Sequence, residues 1–188
     1  MHHALASGVD PGAIMAELCM KETGTCKGAG GSMHIFDKKT YFQGGWALVA
    51  EQLPYAAGAA KSILLDRYLG LSDDENIVKQ NVPPPADDDR ISVVFIGEGG
   101  SQNGRMAEIL NAASKDNLPL LILTIDNGRA INTFTPDIAK NNDVYKQGKH
   151  YGIPGLLVDG LNTADVAKGG KAVINAPIGD KLVMVVDI

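Results

Sequence analysis

The second half of the chain alternates apolar runs with a segment of helical periodicity. Predominantly apolar runs cover residues 91–96 and 118–125. Between them, apolar side chains recur at helical spacing, which predicts a helix over 105–115. A strand, a crossover helix and a strand in this order predict a pair of parallel strands. Two later apolar runs, 156–158 and 182–186, are further strand candidates.

The first half of the chain reads as helices and loops. The turn Asp10-Pro11-Gly12 precedes apolar residues at helical spacing, which predicts a helix over 13–23. Residues 24–32 are rich in glycine and predict a loop, and residues 53–69 predict a second helix. An acidic, proline-rich stretch at about 70–90 predicts a surface loop.

These elements together predict an α/β fold in which a parallel sheet is flanked by helices and covered on both faces. The length of 188 residues suits a single domain spanning 1–188. A composition of 45 % hydrophobic and 21 % charged residues is typical of soluble proteins. The net charge of -5 argues against a nucleic-acid partner, and no apolar stretch is long enough to predict a membrane span. The two cysteines, Cys19 and Cys26, are interpreted as free thiols in a reducing compartment.

The candidate site follows two predicted strands, because ligands of open parallel sheets bind at the carboxyl ends of strands. Glycines at 97, 99 and 100 let the backbone approach an anion, and the next helix directs its N-terminus towards the same place. The Glu98 carboxylate would repel a phosphate unless a divalent cation lay between them. Asn127, after the second strand, offers an amide oxygen, and a backbone carbonyl just after it offers another ligand suited to Mg²⁺.

The spacing of this site resembles the signature of thiamine-diphosphate enzymes, which is Gly-Asp-Gly, a spacer of similar length and then Asn. Here Gly97-Glu98-Gly99 stands for the triplet, and Asn127 follows Glu98 by 29 positions. A Rossmann dinucleotide site is a weaker interpretation, because Gln102 occupies the place of its third glycine.

Four further segments resemble the α subunits of pyruvate and related 2-oxo-acid dehydrogenases, in the order of that family. They are AIMAELCMKETG (13–24), KGAGGSMH (27–34), GGWALVAE (44–51) and YGIPG with VDG (151–160). The residues of these segments are most similar to those of plastid-type pyruvate dehydrogenase α subunits. The resemblance implies the thiamine-diphosphate-binding fold, with this chain forming its diphosphate-binding half.

The resemblance also implies an activity and partners. The family carries out oxidative decarboxylation of pyruvate and transfers the acyl group to lipoamide, with thiamine diphosphate and Mg²⁺ as cofactors. Its α subunit pairs with a β subunit as α₂β₂, and this tetramer docks on a lipoyl acyltransferase core. The β subunit contributes the aminopyrimidine half of the site. The expected location is the plastid stroma, with the mitochondrial matrix as the alternative.

Residue roles carried over from the family fall into three groups. The expected metal ligands are the side chains of Glu98 and Asn127 and the carbonyl of Arg129. The expected diphosphate contacts are Gly97, Gly99 and Gly100, together with Asn127. The backbones of Ala47 and Val49 are expected near the aminopyrimidine and thiazolium rings.

Departures from the family pattern leave a second hypothesis open. Glu98 stands where the family has Asp, and its extra methylene moves the carboxylate by roughly 1 Å, although Mg²⁺ demands near-ideal distances. The family also extends beyond both ends of this chain, so the sequence is either a partial chain or a shortened homologue that has lost part of the site. His34 is interpreted as an acid/base group or a structural histidine, and Trp46 as a filler of cofactor space or an interface residue. The alternative function is a non-catalytic, α-like structural subunit of a larger assembly.

Overall fold

A computed structural model describes residues 1–69, 89–141, 143–174 and 183–187 of the chain. These residues form two compact units, Met1–Glu51 and Gln52–Ile188. A single domain spanning the chain stays a prediction. The predicted acidic loop lies outside the described residues, apart from positions 89 and 90. Within the described ranges, no helix combines the length and the apolar character that crossing a membrane requires.

The first unit contains two helices, α1 (His2–Ala6) and α2 (Pro11–Leu18). The Asp10 side chain caps α2 by accepting hydrogen bonds from the backbone of Gly12 and Ala13, and Pro at the first helical position suits the start of a helix. The helix ends earlier than the predicted residue 23. The core of this unit is a cluster of buried aliphatic side chains from Ala4, Val9, Ile14 and Ile35.

The second unit contains the sheet and its flanking helices. In chain order its elements are α3 (Gln52–Leu69), β1 (Ser92–Gly97), α4 (Glu98–Ser101), α5 (Gly104–Asp116), β2 (Leu120–Asp126), β3 (Arg129–Ala130), β4 (Thr133–Phe134), α6 (Thr135–Ile138), a 3₁₀ helix (Val144–Tyr151), β5 (Gly155–Asp159), α7 (Thr163–Ile174) and β6 (Val183–Asp187). The predicted strands and the helices over 53–69 and 105–115 are confirmed.

The main sheet has four strands in the order β1-β2-β6-β5, and every neighbouring pair is parallel. The predicted α/β class with a parallel sheet flanked by helices is therefore confirmed. The register pairs Ser92 with Leu120 and Gly97 with Ile125. Strands β1 and β2 consequently end at the same edge of the sheet.

Packing on the sheet explains why β1 is not the fully buried strand that its apolar run suggested. Val94 and Ile96 are buried, whereas the alternate residues Val93 and Phe95 are 43 % and 39 % exposed. On the face of Val93 and Phe95, a cluster formed by Leu121, Leu123 and Val158 packs with Ile91, Leu156 and Val166 of α7. Because α7 contacts β5 at the far side of the sheet, the edge strand β1 keeps these side chains partly exposed.

Helices α3 and α5 pack against each other, and α3 also contacts β1. Leu53, Ala57 and Ala60 are buried at helical spacing along α3. Helix α5 begins after Asn103, whose side chain accepts a hydrogen bond from the Arg105 amide, and it ends at Asn117 in the left-handed conformation. The short helix α4 therefore lies between the end of β1 and the capped start of α5.

A buried carboxylate organises the glycine-rich loop of the first unit, residues 24–32. Glu17 is fully buried at the end of α2. Its Oε2 accepts hydrogen bonds from the amides of Cys26 and Gly28 at 2.7 and 2.9 Å. Its Oε1 accepts from Gly30 and Gly31 at 2.6 and 3.2 Å. Burial alone would raise the pKa of Glu17, but these backbone donors outweigh that effect and the net pKa is lowered.

This lowered pKa predicts a pH-dependent contribution of Glu17 to stability. A carboxyl whose folded-state pKa is depressed stabilises the fold above its unfolded pKa and loses that contribution as pH falls through the folded pKa. The free energy of unfolding of the native chain should exceed that of Glu17→Gln by a constant amount near neutral pH. The difference in unfolding free energy should become smaller below pH 4.5, which is the ordinary pKa of a glutamate side chain.

Urea unfolding followed by circular dichroism at a series of pH values measures the difference. Glu22→Gln is the matched control, because Glu22 is an exposed carboxylate in the same segment. If the unfolding free energies of the native chain and Glu17→Gln differed by the same amount at every pH, the prediction would be contradicted.

Candidate functional site

The loops after β1 and β2 lie against each other. Gly99, in the first loop, approaches Ala130, in the second, so closely that a Cβ added to Gly99 would stand 2.5 Å from the Cβ of Ala130. Helix α4 contacts β3, β1 and β2. The segments that follow β1 and β2 are therefore neighbours, as the parallel pairing of these strands requires.

The segment after β1 forms a single helical turn, α4. Gly97 is extended and precedes α4, and the Ser101 hydroxyl donates a hydrogen bond of 2.6 Å to the Glu98 carbonyl. The long helix α5 starts separately, after its own cap at Asn103. The N-terminus of α5 is therefore one turn further along the chain than the glycines, close to the start at residue 105 that the sequence predicted.

Glu98 is the principal charged group of this edge of the sheet. Its side chain is only 3 % exposed. Its Oε1 is buried, and no hydrogen-bond partner for it occurs within the described parts of the chain. Leaving a buried charged oxygen without a partner costs about 1–3 kcal/mol or more. A cation or a hydrogen-bond donor from a ligand would satisfy this oxygen, so the residue fits a metal site.

Asp126 and Asn127 form consecutive turns at the end of β2. The Asp126 carboxylate accepts a hydrogen bond from the amide of Gly128, and the Asn127 side-chain oxygen accepts one from the amide of Arg129, both at 2.9 Å. Asn127 is exposed. An amide oxygen has two lone pairs, so Asn127 retains the capacity to bind a cation while it holds this turn.

The β3–β4 hairpin determines the direction of the Arg129 carbonyl. Ala130 pairs with Thr133, and the Thr135 amide donates to the Gly128 carbonyl at 3.1 Å. Because hydrogen-bonded and non-hydrogen-bonded pairs alternate in an antiparallel ladder, the backbone groups of Arg129 point away from β4. Its guanidinium lies 4.0 Å from the centre of the Phe134 ring. The Arg129 side chain is thus held against Phe134 of the hairpin, and the Arg129 carbonyl points away from β4.

The protein ligands of a cation here would be mainly neutral oxygens. Within the described ranges, no group of three or more His, Cys, Asp or Glu side chains is arranged to hold a metal ion. The ligand set expected from the sequence has one carboxylate, one amide oxygen and one backbone carbonyl. Such a set requires anionic oxygens from a ligand to complete and neutralise the metal.

Two buried threonines near α4 were not singled out from the sequence. The hydroxyl oxygens of Thr124 and Thr135 are buried, and the described residues supply neither with a hydrogen-bond partner. Thr124 lies beside Ile96 in the strand register, and Thr135 begins α6, which contacts α4. The sequence did not indicate a role for Thr124 near the end of an apolar strand, because the groups around its hydroxyl are set by the tertiary fold.

The remaining candidate residues, His34, Ala47 and Val49, belong to the first unit. His34 is half-buried, and both Ala47 and Val49 are exposed. Trp46 packs edge-to-face on Phe36 with ring centres 5.5 Å apart. This contact within its own unit gives Trp46 a packing role.

Similarity to known proteins shows the family of the chain. The family model described as "Dehydrogenase E1 component" matches residues 1–178. The chain belongs to the dehydrogenase E1 component family. The resemblance predicted from the motifs is therefore confirmed.

Relatives of the chain include subunits of plant, algal and bacterial enzymes. It is 36 % identical over 172 residues to the chloroplastic pyruvate dehydrogenase E1 component subunit alpha-3 of Arabidopsis thaliana, covering 92 % of this chain and 37 % of that protein. It is 35 % identical over 164 residues to the pyruvate dehydrogenase E1 component subunit alpha of Porphyra purpurea, covering 87 % and 44 %. The subunit alpha of Rickettsia typhi is 30 % identical, over 91 % of this chain and 46 % of that protein. The chain thus spans less than half the length of these relatives.

A solved structure from Mycobacterium smegmatis, described as that of a candidate thiamin diphosphate-dependent enzyme, has the same fold. It superposes with a TM-score of 0.52 at 20 % identity, over 80 % of this chain and 24 % of that one. At this identity the likeness supports the fold, and it agrees with the thiamine-diphosphate-binding fold expected from the motifs.

The Gly99–Ala130 contact predicts a specific cost for adding one methyl group. Gly99→Ala should lower the free energy of unfolding by about 1–3 kcal/mol, because the new Cβ would force the two strand-end loops apart. Gly104→Ala is the matched control: it also lies after β1, but a Cβ there meets no atom within 4 Å. The control should change stability by less than the Gly99 substitution, by about 1 kcal/mol at most. Equal effects of the two substitutions in urea unfolding would contradict the close approach.

Proposed function

We propose that the chain is the diphosphate-binding part of a pyruvate dehydrogenase α subunit, which acts in the oxidative decarboxylation of pyruvate and acyl transfer to lipoamide. The observation that carries this proposal is the buried Glu98 oxygen without a partner among the described residues, beside the Gly99–Ala130 contact of two parallel strand ends. Family membership supports the same activity, because relatives of the chain are named pyruvate dehydrogenase E1 component subunit alpha.

The proposed metal ligands are the side chains of Glu98 and Asn127 and the carbonyl of Arg129. Mg²⁺ prefers about six oxygen ligands, and the remaining positions would be taken by diphosphate oxygens and water. The burial of Glu98 suits this role, because a charge removed from water needs a close counter-charge. The turn held by Asn127 supports it as well, since it brings the Asn127 oxygen and the Arg129 backbone to one bend of the chain.

Gly97, Gly99 and Gly100, together with Asn127, are the proposed diphosphate contacts. A Cβ at Gly97 would meet no atom within 4 Å, so the backbone there faces open space. The Cα of Gly99 packs against Ala130, and Gly100 is buried within α4. The Glu98 carboxylate and a diphosphate repel each other, so the proposal requires the metal and the diphosphate to bind together.

Thiamine diphosphate, when bound, supplies the nucleophilic carbon and the electron-accepting ring on which decarboxylation of a 2-oxo acid depends. The residues of this chain would bind and orient it. Ala47 and Val49 are proposed to present backbone to its aminopyrimidine and thiazolium rings, and both keep some exposure in the first unit. His34 is proposed to be structural, with an acid/base role as the alternative.

The proposed assembly and location come from the family. A β subunit would complete the site in an α₂β₂ tetramer, docked on a lipoyl acyltransferase core. The plastid stroma is the proposed location, because relatives from Arabidopsis thaliana and Oryza sativa are named chloroplastic, and the mitochondrial matrix is the alternative. The second candidate function remains a non-catalytic, α-like structural subunit, which the replacement of the family's Asp by Glu98 favours.

Calorimetry distinguishes the two functions. We expect saturable binding of thiamine diphosphate by the chain co-expressed with its β partner, and this binding should require Mg²⁺. Decarboxylation of pyruvate by the same preparation would establish the substrate. Absence of binding in a folded α/β complex would contradict the catalytic proposal and favour the structural subunit.

Substitutions at Glu98 test the metal site itself. Glu98→Gln should weaken Mg²⁺-dependent cofactor binding at least about tenfold, since even outer-shell changes at metal sites cost about 10–100-fold. Glu98→Asp should retain or improve binding, because it restores the family's side-chain length. Glu108→Gln is the control, as Glu108 is an exposed carboxylate on α5. Equal affinities for the Glu98→Gln variant and the native chain would exclude Glu98 as a ligand.

A further inference from the structure

The glycine-rich loop of the first unit, residues 24–32, wraps around the Glu17 side chain. Backbone amides from Cys26, Gly28, Gly30 and Gly31 converge on its two oxygens at 2.6–3.2 Å. Convergent backbone N–H groups of this kind form a nest that binds an anion. Here the anion is a carboxylate of the chain itself. Gly24 lies so close to Glu17 that an added Cβ would overlap both its backbone and its carboxylate.

Two routes lead from this carboxylate to the backbone of His34. On one side, Oε1 binds the Gly30 amide, and the Gly30 carbonyl accepts a hydrogen bond of 3.3 Å from the His34 amide. On the other side, Oε2 binds the Cys26 amide, and the Cys26 thiol donates a hydrogen bond of 3.0 Å to the His34 carbonyl. The absence of a side chain at Gly30 is required, because a Cβ there would overlap the His34 carbonyl oxygen.

We propose that Glu17 is a positioning residue, an internal anion that shapes the 24–32 loop and, through Gly30 and Cys26, sets the backbone position of His34. The inference rests on contacts within the first unit and goes beyond the proposed cofactor site. It assigns the four convergent amides to an internal ligand. These amides are consequently occupied, and the loop is not a second cradle for an external phosphate, although its glycine content resembles one.

The charge and shape of the group are both needed. Four donors point at two oxygens, so a carboxylate satisfies all of them. A Gln side chain in place of Glu17 has one oxygen and one NH₂ group, and the NH₂ group would face two backbone donors. Removing the side chain altogether would leave the four donors without their acceptor.

Amide hydrogen exchange on the full chain tests the proposal. In Glu17→Gln and Glu17→Ala, we expect exchange at Cys26, Gly28, Gly30, Gly31 and His34 to become at least about tenfold faster. The amides of Val9 and Ile14, which donate to Ala4 and Asp10 in the same unit, should keep their protection. Glu22→Gln, the exposed neighbour, should leave all of them unchanged.

Chemical rescue separates positioning from general support of the fold. Formate should restore protection of the loop amides in Glu17→Ala, because it can supply the missing carboxylate, whereas chloride at equal ionic strength should not. Loss of protection throughout the unit without rescue would overturn the proposal, and so would unchanged exchange in Glu17→Gln.

The Cys26 route gives an independent readout if the Glu17 variants do not fold. Cys26→Ala removes the donor to the His34 carbonyl, and Cys26→Ser keeps a hydroxyl donor in its place. We expect the NMR carbonyl shift of His34 to move in the Ala variant and to return towards the native value in the Ser variant. Identical His34 shifts in all three chains would overturn this part of the network. Failure here leaves the Mg²⁺ and cofactor measurements untouched, so the two proposals fail separately.

Discussion

The parallel pairing of β1 with β2 is the constraint on which the rest of the second unit depends. Its register sets Gly97 opposite Ile125, so the two strands end level with each other. The glycine segment and the Asn127 turn then meet at one edge, and Gly99 must lack a side chain because Ala130 is already there. A slip of the register by one residue would turn every side chain of β1 to the other face and separate these groups.

Two carboxylates within the described residues, Glu17 and Glu98, are buried and are satisfied in opposite ways. Glu17 receives backbone donors at both oxygens, which outweigh the cost of its burial and lower its pKa. Glu98 keeps one oxygen without a partner in the same part of the chain. The first arrangement is complete within the protein and stabilises a loop. The second is incomplete among the described residues, and this is the observation behind the proposed cation site.

The length of the Glu98 side chain matters for the same reason. Its carboxylate is enclosed, so it has little freedom to adjust to a metal that requires short and regular bonds. The neighbouring turns are held by their own side chains, with Asp126 and Asn127 each accepting an amide two residues ahead. The two proposed neutral ligands are thereby held by local turns, whereas the proposed charged ligand, Glu98, is buried at the start of α4.

The sequence by itself determined the α/β class, the strand–helix–strand order and the positions of the strand-end loops, because these follow from local periodicity and from the glycines. It also predicted Glu98 and Asn127 as one site, since parallel strands end at the same edge. Only the tertiary structure decided that β6 lies between β2 and β5, that β1 is a half-exposed edge, and that residues 98–101 form a helical turn of their own. It likewise decided that Glu17 fills the glycine-rich loop, because residues 17 and 30 meet only after the chain folds back and brings amides and carboxylate together.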